Sequence, residues 1–332
     1  MYTPHTYPVA LLMMLVSMLC WGSWANAEKI DKSWRFELYY WDYMWGILAC
    51  ALLFGLTMGR TNPAASASFF HNLKAAGGRS LLEAFVGGMI FNLGNLLLVA
   101  AISIAGMAVA FPLGAGLALV IGAVLNYFVS PAGNPLLLFG GIALVCAAIA
   151  ANAMAYRGLS KGGQGKGGGK KGILLSLTCG VVIGLFYPFV AKALTGTHHL
   201  GPYTVYFVFT LGALVSNFPL NYALMRRPVT GSPLSISDYF RGKPSAHLWG
   251  VLGGLVWGTG TICSFVAAYT PMVGPATSFS LGEGNTMISA AWGVFVWKEF
   301  QGGSVAVTRL LALMFVLFVL GLVSISLAPI LK

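Results

Sequence analysis

The residue with the most chemistry in this 332-residue chain is Glu283, which falls near the middle of a long apolar run. The other seven of its eight acids lie in polar segments or within a few residues of the end of a run. A charge at the centre of a bilayer costs roughly 2.5–3.5 kcal/mol on insertion scales, so such residues mark ion or substrate pathways. Desolvation also favours the protonated form of a carboxyl, which brings proton exchange within reach of physiological pH. These two facts make Glu283 the candidate proton carrier. The structural alternative is that, between Gly282 and Gly284, it caps or bonds the ends of a broken helix.

Other polar and aromatic groups fall at three- and four-residue spacing, which places them on one surface of a helix. Ser17, Trp21, Trp24 and Glu28 do so in the first run, Asn92 and Asn95 in the third, and Trp257, Thr261 and Ser264 in the eighth. Ser280, Glu283, Thr286 and Met287 do so in the ninth, and Asp42 stands among aromatics in Tyr40-Trp41-Asp42-Tyr43. Amides, hydroxyls and indole rings together suit an uncharged, hydroxylated or amide-bearing ligand whose polar edge hydrogen-bonds and whose flat face stacks. The substrate-binding candidates are Trp21, Trp24, Glu28, Asp42, Asn92, Asn95, Trp257, Thr261 and Thr286. The alternative for each is helix-to-helix adhesion or a place in an interfacial aromatic belt.

The elements that must position these groups follow from composition. With 58% hydrophobic and 8% charged residues, and a mean hydropathy of +0.81, this is not the make-up of a soluble domain. The apolar residues form ten runs, 6–27, 40–58, 83–104, 107–128, 135–156, 172–194, 203–225, 246–269, 273–297 and 304–328. Each approaches the length a helix needs to cross hydrocarbon, and backbone groups in lipid must be satisfied within the segment. The expected fold is all-α, a polytopic membrane protein of ten transmembrane helices; a β-barrel would show short alternating segments instead. The net charge of +11 does not indicate nucleic acid, because the positives sit in loops beside the runs. With the N-terminus outside, fourteen of the nineteen Lys and Arg face the cytoplasm: Lys29, Lys32, Arg35, Arg157, Lys161, Lys166, Lys170, Lys171, Arg226, Arg227, Arg241, Lys243, Lys298 and Arg309. Both termini are then expected outside, in a bacterial inner membrane, with Arg60, Lys74 and Arg79 dissenting. Residues 1–8 hold no Lys or Arg, so a cleaved leader ending at Ala25-Asn26-Ala27 is not expected. The five cysteines lie in apolar runs at no metal-ligand spacing, and no phosphate-binding loop or hydrolytic triad is present. The chain therefore reads as a transporter without cofactor or metal, driven by a proton gradient, and not as an enzyme.

A repeat organises the runs. Residues 87–116 and 253–284 match, with Gly87, Gly88 and Gly94 on Gly253, Gly254 and Gly260. After a two-residue insertion, Gly106, Ala108, Phe111, Leu113, Gly114 and Gly116 fall on Gly274, Ala276, Phe279, Leu281, Gly282 and Gly284. Ala115 falls on Glu283. Residues 158–171, GLSKGGQGKGGGKK, read as a flexible cytoplasmic linker between two five-run halves, 1–157 and 172–332. An odd number of spans inverts the second half, the arrangement secondary transporters use to build one site between repeats.

Several segments bear a resemblance to known families. They are Cys20-Trp21-Gly22-Ser23-Trp24, Tyr40-Trp41-Asp42-Tyr43, the stretch from Gly87 to Asn95, Lys170-Lys171-Gly172-Ile173-Leu174, and the stretch from Trp292 to Phe300. Across nearly the whole chain the pattern resembles the ten-helix branch of the drug/metabolite transporter superfamily, in particular the ureide permease and the L-rhamnose–proton symporter/glucose uptake families. The resemblance implies a proton-coupled uptake carrier. The expected function is symport of a small neutral polar solute with protons, a sugar such as rhamnose or glucose first. A ureide or nucleobase-derivative permease is one alternative, and a drug or metabolite exporter working by proton antiport is another. A membrane scaffold is a third, although the loops leave no room for a soluble signalling domain. The expected partners are the small solute, protons and the lipid bilayer; the sequence specifies no oligomeric state.

Overall fold

The structure, a computed structural model, describes residues 1–30, 34–61, 68–105, 107–161, 170–196 and 198–331. Lys32, Gly106, Lys166 and most of the Gly/Lys-rich tract lie outside the described residues. The chain is built of α1 (Tyr7–Ser23), α2 (Asn26–Ile30), α3 (Phe36–Leu56), α4 (Phe69–Lys74), α5 (Gly78–Ala105), α6 (Met107–Val129) and α7 (Pro135–Lys161). It continues through α8 (Lys170–Thr195), α9 (Pro202–Arg226), α10 (Ile236–Phe240), α11 (Pro244–Tyr269), α12 (Pro275–Gly282), α13 (Asn285–Ala291) and α14 (Val305–Leu327). Among the described residues there is no strand, and nine helices are long and apolar enough to cross a membrane.

Two runs differ from their expected single helices. The first, 6–27, is interrupted by a turn at Trp24 and Ala25, where the Ala27 amide bonds back three residues to Trp24, before α2 begins. The ninth, 273–297, is divided into α12, α13 and one π-helical turn, Trp292–Val296. Its start is fixed by Gly274, whose φ of +77° suits glycine, followed by Pro275 at the first helical position. Its break falls at Glu283 and Gly284, where amides bond back only three residues (Gly284 N–H to Leu281 O at 3.1 Å, Met287 N–H to Gly284 O at 2.9 Å). The backbone thereby stays satisfied in a place where no water competes.

The helices pair as α5 and α6 on α8, α5 on α9, α3 and α1 on α11, α3 on α9, and α7 on α14, while α12 and α13 pack between α1 and α6. Exchanging the first five spans for the last five maps this set of pairings onto itself. Lipid tails supply no hydrophobic drive between helices, so close backbone approach through small residues holds such crossings. At the α5/α9 crossing a Cβ on Gly88 would overlap the Phe209 carbonyl oxygen, and one on Gly212 the Phe85 carbonyl. At the α3/α11 crossing a Cβ on Gly254 would overlap the Tyr43 carbonyl and one on Gly46 the Val251 carbonyl. Gly88 and Gly254, and equally Gly46 and Gly212, are separated by the same 166 positions that align the start of the sequence repeat. Leu12, Leu15 and Leu19 on α1, and Leu313, Val316, Leu320 and Val323 on α14, stay exposed, as a lipid-facing surface requires.

Gly88→Ala and Gly254→Ala each force two helix backbones apart. Each is expected to cost on the order of 1–3 kcal/mol, read as a lowered unfolding temperature in detergent. Gly140→Ala, which meets nothing within 4 Å, is expected to leave that temperature unchanged.

Candidate substrate and proton site

Glu283 closes α12 with helical backbone (φ −66°, ψ −9°), and the break after it turns its side chain into a cavity of about 40 Å³. The wall is made by Trp21 and Trp24 of α1 and its turn, Phe91 and Asn95 of α5, Trp257 of α11, and Asn285 at the start of α13, with Ala115, Phe111 and Phe186 completing it. Glu283 itself is 4% exposed. Gly282 is what allows Trp21 to lie against the break, since a Cβ there would stand 2.7 Å from the indole ring. Repeat mates Ala115 and Glu283 line the same cavity, and the small alanine leaves the space to the carboxyl.

Aromatic planes dominate the wall. Trp21 and Trp257 lie 6.1 Å apart at 15°, and Phe91 stacks on the other side of Trp257 at 4.3 Å and 24°. A ring between two aromatic faces needs about 7 Å, two van der Waals contacts of roughly 3.5 Å. The site is therefore drawn closed, well below the ~300 Å³ of an ordinary small-molecule pocket. The two indoles are held differently. Trp21 Nε1 donates to Thr261 Oγ1 at 3.0 Å, and Thr261 in turn donates to the Trp257 carbonyl. The Trp257 and Trp24 indole N–H groups have no hydrogen bond among the described residues.

The amides behave as a graded set. Asn92, fully buried, is engaged at both ends: its Oδ1 accepts from Tyr40 at 3.1 Å and its Nδ2 donates to Ser216 at 3.0 Å. Asn95 donates to the Tyr40 and Tyr43 hydroxyls at 3.1 and 3.3 Å, and its Oδ1 has no hydrogen bond among the described residues. Asn285 lines the cavity beside Glu283, and its Oδ1 is buried without a partner among the described residues. The cavity thus offers acceptors at Glu283, Asn285 and Asn95, and indole N–H donors at Trp24 and Trp257.

Five of the residues expected from sequence, Trp21, Trp24, Asn95, Trp257 and Glu283, meet in this one cavity, while the rest stand elsewhere. Asn92 and Thr261 lie behind the wall and orient it. Thr286, whose hydroxyl donates to the Glu283 carbonyl at 2.9 Å, faces a neighbouring cavity. Glu28 sits half-buried on α2 beside Lys29. Asp42 forms a separate cluster, accepting from Tyr239 at 2.6 Å and Trp34 at 3.2 Å and pairing with His247 at 2.9 Å, which ties α3 to α10 and α11. Burial and the Asp42 carboxylate push the Tyr239 phenol above its ordinary range, so it remains a donor. Asn285 was not among the expected residues; its signal is its position directly after the Gly-Glu-Gly interruption.

A helical membrane bundle folded around a small, buried, polar and aromatic cavity has the form of a secondary transporter of small solutes. Comparison with known proteins agrees. A sequence model of the ureide permease family matches residues 39–164 and 170–328, and the chain belongs to that family. It is 24% identical to ureide permease 1 of Arabidopsis thaliana, covering 96% of each protein, and 23% identical to a probable ureide permease A3 of Vigna unguiculata, covering 89% of this chain and 96% of that one. One solved crystal structure has the same fold, with a TM-score of 0.58 at 16% identity over 95% of this chain and 98% of that one. The chain is an integral membrane transporter of small solutes and not an enzyme.

Removing the hydroxyl at Thr261 leaves the buried Trp21 N–H unpaired. Thr261→Val is expected to cost on the order of 1 kcal/mol and to alter tryptophan fluorescence, whereas Thr261→Ser keeps both the stability and the spectrum of the parent.

Proposed function

We propose that this protein is a proton-coupled uptake carrier for a ureide or a closely related planar, N–H-rich solute, working by alternating access around the Glu283 cavity. One observation carries the choice of solute. Acceptors at Glu283, Asn285 and Asn95 and indole N–H donors at Trp24 and Trp257 meet between flat aromatic faces. A ureide carries N–H and C=O groups on one planar unit and answers both kinds of partner while it stacks. A sugar offers only hydroxyls on a puckered ring. The relatives named as ureide permeases favour the same choice over the sugar first expected from sequence.

The proposed cycle follows from the geometry. Trp21 is pinned by Thr261, so Trp257 is the wall that turns to admit the solute. In its protonated form Glu283 is neutral, donates its O–H to the solute carbonyl and accepts a solute N–H at its other oxygen; once ionised it loses the donated bond and sets a carboxylate against the solute carbonyl, which weakens the hold on the solute. Binding of solute and of proton are thereby linked through one side chain. Two halves, 1–157 and 172–332, would rock about this centre. Support for them comes from the helix pairings that survive exchange of the halves and from the two glycine crossings at equal spacing. The distribution of basic residues places both termini outside in this reading.

Purified protein in liposomes is expected to accumulate radiolabelled allantoin, a ureide, when the outside is made acidic. Unlabelled uracil should compete weakly, and rhamnose, glucose and lipophilic cations not at all. Glu283→Gln is expected to remove the dependence on the pH gradient, and Trp257→Ala to raise the half-saturating concentration about tenfold, the worth of one lost stacking contact. Accumulation of rhamnose without allantoin, or unchanged proton coupling in Glu283→Gln, would overturn the reading.

A further inference from the structure

A second cavity adjoins the first across Phe111, which lines both. Its volume is about 10 Å³, the space of roughly one water. It runs along the face of α13 from Thr286 past Ser289 to Gly293 in the π-turn, with Asn152 of α7 opposite and Glu299 at the end.

Three features give this cavity a direction. It begins at the helix break, where the Thr286 hydroxyl donates to the Glu283 main-chain carbonyl, and only the Phe111 ring stands between it and the cavity that holds the Glu283 carboxyl. Midway, Asn152 is 2% exposed and its Oδ1 has no partner among the described residues. A carbonyl oxygen so buried needs a donor, and a water is the donor that this space admits. At the far end Glu299 pairs with Lys29 Nζ at 2.9 Å, and both side chains are a quarter exposed, so the pair reaches the surface. Gly293 makes that approach possible, because a Cβ on it would stand 2.9 Å from Glu299 Oε2. Among the described lining residues, Glu299 alone has a titratable side chain.

We propose that this cavity is the proton's exit and that Glu299 receives the proton from Glu283 before it reaches solvent. The inference rests on Glu283 as the coupling group. The Glu283 O–H bond breaks and leaves a carboxylate. When the Phe111 ring turns aside and joins the two cavities, the proton passes to water held by Asn152 and the Ser289 hydroxyl and bonds to a Glu299 carboxylate oxygen. Glu299, now neutral, releases Lys29, passes the proton to bulk water as hydronium, and pairs again. Charge is conserved at each step, and a space of one water lets a proton through where the solute cannot follow. The titratable groups facing Glu283 are Cys179 and Tyr187 of α8. Those near Glu299 are Lys29 with its neighbour Glu28 on α2, and Lys298 next to it in the chain. The surface reached is the one that the basic residues assign to the cytoplasm.

Net uptake requires the proton to leave; exchange of labelled for unlabelled solute at equal pH does not. In proteoliposomes, Glu299→Gln is expected to lower pH-driven net allantoin uptake by about a hundredfold, the low end of what a positioned proton-transfer group contributes, while exchange continues at the parent rate. Asn152→Leu, which fills the water position, should show the same split. Loss of net uptake and exchange together in both variants would mean a structural role and overturn the proposal. So would unchanged net uptake in Glu299→Gln. A Glu283→Gln variant that keeps its proton coupling counts against the coupling residue itself. An uncoupled Glu283→Gln beside an unaffected Glu299→Gln counts against the exit alone.

Discussion

The interruption of the ninth span at Gly282-Glu283-Gly284 is the constraint on which the rest of the site depends. A continuous helix would carry Glu283 on a packed face, with Ser280 and Thr286 above and below it. Breaking the helix re-aims the carboxyl, and the short three-residue bonds at the break keep the backbone satisfied while it does so. The break also has to be packed, and neither flanking position tolerates a side chain. Trp21 occupies the place of a Cβ at Gly282, and Met18 and Leu322 occupy the place of one at Gly284. The acid, the glycines and the first helix are therefore one device: without Trp21 the break would be a void, and without the break Trp21 would have no seat.

Around that device some side chains are fixed by hydrogen bonds, and one, the wall proposed to move, is not. The fixed part is hydrogen-bonded through side chains: Thr261 holds Trp21, and the Tyr40, Tyr43, Asn92, Asn95 and Ser216 network joins α3, α5 and α9 behind the wall. Such a network has one satisfied arrangement and resists repacking. The movable part is held by surface contact alone. Trp257 stacks on Phe91 and faces Trp21 with no side-chain hydrogen bond among the described residues, so its turning breaks no buried polar pair. A closed cavity of about 40 Å³ bounded by such a wall is consistent with a site that opens by rotation of one aromatic side chain and the movement of its helix.

Much of this was legible in the sequence, and the limits have physical causes. Length and apolarity carried the ten runs, and the isolation of Glu283 in one of them marked the centre of the cavity. Helical spacing put Trp21, Trp24, Asn95 and Trp257 on inward faces, because a polar or indole group in hydrocarbon turns away from lipid. Spacing says nothing of what lies opposite. Asn92 and Asn95 share a face, yet Asn92 meets Ser216 from far along the chain and is engaged at both ends, while Asn95 keeps a free oxygen at the cavity. Asp42 looked exposed to function among its aromatics; its partners Tyr239 and His247 come from a loop helix and another span some two hundred positions away. The preference for a sugar came from resemblance and not from residues, and it was the arrangement of acceptors and flat faces, together with the relatives, that moved it to a ureide.

The mismatch of Ala115 with Glu283 has its meaning in the cavity they share. Two acids at these mated positions would face each other across about 40 Å³, and like charges so close cannot both ionise. One acid and one alanine avoid that conflict and leave a single carboxyl in the cavity, the group proposed to take and release the proton. The asymmetry extends outward from there. The chain after Glu283 continues into α13, the π-turn and Glu299, lined by Thr286 and Ser289, and so carries a polar face toward one surface. The chain after Ala115 continues through α6 as Gly116, Leu117, Ala118 and Leu119, with no polar side chain until Asn126. Under the proposed reading, a repeated scaffold would give two equivalent ways for the solute to leave, and a polar track on only one of its copies would give the proton one exit. In the proposed cycle, that difference is what would convert a symmetric rocking bundle into a carrier with a direction.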